Sequence, residues 1–189
     1  MLIQTLVTHP QMLGPVLQNT PTWVWGLLTG LAALGLTQIR TRSAGLTRIT
    51  AMPLTMTALS VWGLASSFSK SPQFGYMMLA WMGAALAAMA AVAPLQPPAG
   101  TKFDAATRRF VLPGSWIPML LILAIFLTKY VVGVDLAMQP PLALDRTYTL
   151  SVGTLYGIFT GIFLGRAARV WRLAAARSSN RIDTAAANT

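Results

Sequence analysis

The chain has 189 residues, of which 54% are hydrophobic and only 10% charged. Its mean hydropathy is +0.59, and soluble domains carry about 25% charge, so this is the composition of a membrane protein. The net charge of +10 comes from 14 Lys and Arg against 4 acidic residues, and Cys is absent, which excludes disulfides, thiol nucleophiles and Cys-ligated metals or clusters.

Residues 1–19 place Leu2, Ile3, Leu6, Val7, Leu13, Val16 and Leu17 at roughly helical spacing, broken by Pro10 and Pro15. The segment is too short and interrupted to cross a bilayer, and the absence of Lys or Arg argues against a signal peptide. It reads as a short surface helix.

The first span is expected over 21–38, with Thr20 as its cap, Trp23 and Trp25 at belt depth, and Gly26 and Gly30 as a pair of small residues. Arg40, Arg42 and Arg48 crowd the following loop. A second span is expected over 49–68, with Pro53 near its start. Its hydroxyls, Ser60 among them, can bond back to the helix backbone. The turn through Lys70 and Pro72 is short, so spans two and three should be antiparallel neighbours. The third span, 73–93, repeats Ala80, Ala84 and Ala88 at every fourth residue.

Residues 94–114 form the longest connection. Pro94, Pro97, Pro98 and Gly100 stop the helix, and two short runs, 101–104 and 109–112, predict a small β-hairpin. Asp104 with Arg108 or Arg109 would pair across it. The hairpin is the best surface for docking a partner. The fourth span, 115–134, carries Lys129, and the loop from Asp135 to Arg146 follows, with Asp145 placed to cap the fifth span.

That span, 147–165, is uncharged, with Gly153, Gly157, Gly161 and Gly165 at every fourth position. Residues i and i+4 share one face of a helix, and in lipid such a bare stripe lets a second helix approach closely. The stripe packs against another span of the chain, with Gly26 and Gly30 as a plausible mate, or joins copies in a homo-oligomer. Residues 173–189 read as a tail, first basic and then disordered.

The loop after span one, the hairpin connection and the stretch after Gly165 (Arg166, Arg169, Arg172, Arg177 and Arg181) together hold eleven basic residues, whereas Lys70 and Arg146 stand alone on the other side. That split fits five spans, with the N-terminus outside and the C-terminus in the cytoplasm. It also assigns the positive charge to lipid and topology, not to nucleic acid. The fold expected is an all-α membrane protein: a five-helix transmembrane bundle over 20–172, with the N-terminal surface helix and a small cytoplasmic hairpin.

Several segments resemble a known family. These are Asn19-Thr20-Pro21-Thr22-Trp23-Val24-Trp25, the run Arg109-Phe110-Val111-Leu112-Pro113-Gly114-Ser115-Trp116-Ile117-Pro118, and Phe126-Leu127-Thr128-Lys129-Tyr130-Val131. Together they are similar to an uncharacterised family of small bacterial inner-membrane proteins, a domain of unknown function, over roughly residues 18–172. The resemblance implies a five-helix bundle in the bacterial inner membrane. It implies no activity and carries over no catalytic residue. The layout of spans is also similar to that of cytochrome c biogenesis factors, but the missing Cys speaks against thiol redox work.

Few residues offer chemistry. His9 is the single histidine and the four Asp are scattered, so neither a metal site nor a cofactor is expected. Lys129 is the one ionisable group within a span. It is either functional, as intramembrane charges commonly are, or it snorkels to the interface. The reading is a non-enzymatic membrane protein acting in assembly, regulation or envelope maintenance through a protein partner. The alternative is a small transporter or channel subunit formed by oligomerisation.

Overall fold

A computed structural model describes residues 18, 20–37, 39, 42–96, 102–104, 109–112 and 114–187. Apart from Gln18, the expected N-terminal surface helix and His9 lie outside the described residues.

Five α-helices are described: α1 (Thr22–Thr37), α2 (Leu46–Phe68), α3 (Phe74–Val92), α4 (Ile117–Met138) and α5 (Arg146–Ala187). A short 3-10 helix, Pro140–Leu144, joins α4 to α5. Four are long and apolar enough to cross a membrane: Ile49–Phe68, Phe74–Val92, Ile117–Met138 and Arg146–Arg172. At 16 residues, α1 is about 24 Å long, short of a hydrocarbon core of about 30 Å.

The central element is α5. Its apolar window is 56% buried within the protein, against 11–12% for the other three. Large apolar side chains such as Trp62 and Leu79 face outward instead, where a bilayer would solvate them.

The α3–α5 pairing explains that centrality. A β-carbon on Gly153 would stand 2.6 Å from Met77 Cγ, one on Gly161 2.7 Å from the Ala88 β-carbon, and one on Gly165 2.8 Å from that of Val92. Carbonyl oxygens of Met77, Trp81, Ala85 and Met89 line the same seam. Contact partners rise in number together along both helices, so α3 and α5 run parallel. The stripe is therefore seated within the chain, on span three. Gly26 and Gly30 are not its mate: each faces open space. The glycine of α1 that makes a close contact is Gly35, 3.1 Å by the same measure from Met119 Cβ on α4. Thr20 and Tyr130 share a 2.5 Å hydrogen bond at the other end of α1, which makes α1 and α4 antiparallel.

Both α2 and α3 lean on α5. The expected side-by-side pairing of spans two and three is held at the short turn, after which the glycine groove draws α3 to α5. Leu64, Phe68, Met77, Val132, Val152 and Tyr156 form the buried cluster where α2, α3, α4 and α5 converge.

The expected small β-hairpin does not stand by itself. Strands β2 (Lys102–Asp104) and β3 (Arg109–Leu112) belong to a three-stranded antiparallel sheet ordered β1-β3-β2, with β1 (Arg42–Gly45) supplied by the connection after α1. Gly45 and Asp104 both pair with Arg109, and Arg42 pairs with Leu112. Phe110, on the central strand, is fully buried. A strand of Arg-Ser-Ala-Gly has little intrinsic strand preference; its partner strand supplies the ladder. Arg108 lies outside the described residues.

Two boundaries also move. Asp135, expected at the start of a loop, is inside α4 and buried. The tail expected to be disordered continues as helix to Ala187, consistent with Ala being the best helix former.

At the sheet end, α5 also holds the end of α3. Arg169 Nη1 donates to the Gln96 carbonyl and Arg172 Nη1 to the Ala93 carbonyl, both at 3.1 Å. The last carbonyls of a helix lack intrahelical partners and carry its negative pole, so guanidinium groups suit them. At the opposite end the Arg146 guanidinium lies 5.7 Å from the centre of the Tyr76 ring.

Candidate functional site

A polar cluster lies inside the helix assembly, on the side of α5 away from the sheet. Lys129 comes from the middle of α4. The residue is exposed, with its ammonium 5.3 Å from the centroid of the Tyr156 ring. Tyr156 is buried on α5. The face of an aromatic ring attracts a cation, more so where water is excluded.

Gly63 on α2 provides the room. A β-carbon there would stand 2.6 Å from Lys129 Nζ and 4.0 Å from Tyr156 Cε1. The ammonium of Lys129 on α4 thus lies close to both α2 and α5.

One turn away on α2, buried Ser60 joins three helices through hydrogen bonds. Trp81 Nε1 on α3 donates to the Ser60 hydroxyl at 3.2 Å. Ser60 and Thr160 hydroxyls are 3.2 Å apart, and the Thr160 hydroxyl is 2.9 Å from the Tyr156 carbonyl. An indole N–H only donates and a carbonyl only accepts. Ser60 thus accepts from Trp81 and from Thr160, whose hydroxyl proton lies between the Ser60 hydroxyl and the Tyr156 carbonyl. Neither hydroxyl is left unpaired, as an apolar interior demands.

A second cluster closes the end of the bundle away from the sheet. Asp145 Oδ1 accepts from the Tyr148 backbone N–H at 2.7 Å, capping α5. The Tyr148 hydroxyl donates to Asp135 Oδ2 at 3.2 Å. Thr149, fully buried, returns its hydroxyl to the Asp145 carbonyl at 2.7 Å. Tyr148 thus ties the two carboxylates to one residue, and both serve as hydrogen-bond acceptors.

Of the residues singled out in sequence, Lys129 falls in the cluster, and the four α5 glycines lie on α3. Asp104 and Arg109 are register partners in the sheet. The sequence reading did not single out Gly63, Trp81, Tyr156 or Thr160. The available signal was Trp81, a tryptophan deep in a span instead of at a belt, where its N–H needs a partner. Among the described residues no three His, Cys, Asp or Glu gather as a metal site.

A family model, described as a family of unknown function (DUF6622), matches residues 1–181. The chain belongs to this family. The DUF6622 match takes in α1 to α4, the sheet, both polar clusters and α5 as far as Arg181. No curated protein and no solved structure matches this DUF6622 chain.

Proposed function

We propose that the chain is a multi-pass protein of the bacterial inner membrane that performs no catalysis and acts through a protein partner, in assembly, regulation or envelope maintenance. In this reading α1 completes five spans by adding its Thr20–Pro21 entry and its Trp23 and Trp25 belt to a short apolar helix. Eleven basic residues then fall on the sheet side and two on the other. The positive-inside rule puts the sheet and C-terminus in the cytoplasm and the N-terminus outside.

The observation that carries the reading is the use of the α5 glycine stripe inside the chain. The strongest association motif in the sequence is occupied by α3, so it is not free to build a multi-chain pore. The sheet, made from two separate connections, is then the distinctive surface a partner would meet. The interior polar groups bond to one another and to backbone, a structural arrangement.

The first test is the mass of the detergent-solubilised protein, wild type beside Gly157→Leu with Gly161→Leu. A monomeric wild type and an aggregated or degraded variant are expected. An oligomeric wild type with a folded monomeric variant would overturn the reading. Orientation is read separately. The chain has no Cys, so single cysteines at Lys70 and Arg181 report which face an impermeant maleimide reaches.

A second reading, a small transporter or channel subunit, is favoured by one feature, the ammonium of Lys129 beside the Tyr156 ring. Flux in proteoliposomes that Lys129→Met abolishes at unchanged protein level would support it.

A further inference from the structure

Arg166, Arg169 and Arg172 follow one another at three-residue steps at the sheet end of the α5 span. Each step of three turns the helix by about 300°, so the three guanidiniums fan across adjacent sectors of one side. Two of them are fixed in place. Arg169 and Arg172 each spend one donor on the end of α3, and a guanidinium has five.

The remaining donors are in an unusual state. Arg169 Nε is buried and has no hydrogen-bond partner, which is costly for an N–H group. Arg166 is close enough to Arg169 for their like charges to repel. Among the described residues Arg166 has no hydrogen-bond partner, and its guanidinium is not sealed off. None of the three arginines has a carboxylate partner among the described residues.

Beside the cations is an exposed apolar group: Leu95, next to the Arg169 acceptor Gln96, is 56% exposed. Trp171, on the other side of α5 from the arginines, is 46% exposed and marks headgroup depth. A ligand that satisfies both parts has an anionic phosphate and a hydrocarbon chain.

We infer that Arg166, Arg169 and Arg172 bind the phosphate of an anionic phospholipid, with Leu95 against its glycerol and upper acyl region. Arginine forks match phosphate oxygens in pairs, and basic pockets between spans on the cytoplasmic side are suited to such headgroups. The bound phosphate relieves the repulsion between Arg166 and Arg169. This inference rests on the membrane reading given above.

The test reconstitutes the full chain in nanodiscs of phosphatidylcholine with a minority of phosphatidylglycerol. Native mass spectrometry then counts the lipid that stays with the protein. Wild type is expected to retain phosphatidylglycerol in preference to phosphatidylcholine. Arg166→Gln and Arg169→Gln should each lower that preference about fivefold. Arg169→Lys should fall between, keeping charge but losing the fork, and Lys70→Gln at the opposite end should change nothing. Among the described residues Arg166 makes no hydrogen bond, and thermal unfolding of its variant beside wild type separates a loss of binding from a loss of packing. Equal retention of the two lipids by wild type overturns the inference, as does an Arg166→Gln, Arg169→Gln double variant that matches wild type. Complete displacement of phosphatidylglycerol by inorganic phosphate also overturns it, since the hydrocarbon would then contribute nothing. A chain that does not enter nanodiscs at all overturns the membrane reading together with the site.

Discussion

A β-carbon placed on Gly157 would stand 3.0 Å from the β-carbon of Ala84, with the Trp81 carbonyl closer still. At this crossing α5 lies against the backbone of α3, and only hydrogen fits between them. Gly157→Ala and Gly161→Ala should each destabilise the protein by about 1–3 kcal/mol through overpacking. Gly26→Ala and Gly30→Ala, which face open space, should be neutral or gain about 0.5 kcal/mol. Unfolding by SDS in mixed micelles measures all four, and equal effects at Gly26 and Gly157 would refute the seam.

The ammonium of Lys129 lies over Gly63. Gly63→Ala should move that flexible side-chain end aside at a cost below about 1 kcal/mol, and cost nothing measurable in a Lys129→Ala background. A double-mutant cycle between Lys129→Ala and Tyr156→Leu should return a coupling of about 0.5–2 kcal/mol. An additive cycle would mean that the cation does not rest on the ring.

The guanidinium of Arg172 satisfies a carbonyl just beyond the end of α3. Arg172→Gln should weaken the last turn of α3 by about 0.3–1 kcal/mol. Hydrogen–deuterium exchange should show the amides near Met89 to Ala93 exchanging faster, with the amides beside Phe74 unchanged.

Tyr148 is tied by its backbone to Asp145 and by its hydroxyl to Asp135. Tyr148→Phe removes a donor from a buried carboxylate and should cost about 1–3 kcal/mol. Asp145→Ala removes the cap of α5 and should cost about 0.5–2 kcal/mol, whereas Asp145→Ser should restore most of it. Thermal unfolding in detergent separates these outcomes.

Periodicity and punctuation carried the element boundaries. Pro72, Pro94 and Pro118 bracket helices close to where they stand, and Asp145 was readable as a cap from its place before an apolar run. The four glycines also declare a bare face. Their mate was not legible, because small residues recur at four-residue spacing in both α1 and α3, and spacing holds no information on which helix comes near. Strand β1 escaped for a different reason. Arg42 to Gly45 reads as a charged loop, and its strand conformation is imposed by the ladder to β3. Ser60 was readable as a hydroxyl that bonds to its own helix; only the fold brings Trp81 and Thr160 to it. The helix beyond Arg172 was not read: the composition of 173–189 spoke for a basic and then disordered tail.

The parallel pairing of α3 and α5 has a consequence in time. Two parallel helices joined in one chain need an intervening crossing, which α4 supplies. Met77 therefore meets Gly153 only about 75 residues later in synthesis, and at 5–20 residues per second that delay is about 4–15 s. Through that interval the alanine face of α3 stands open to lipid, insertase or chaperone. The face of α3 is thus covered only once α5 has been made, and α5 is the helix that closes this packing.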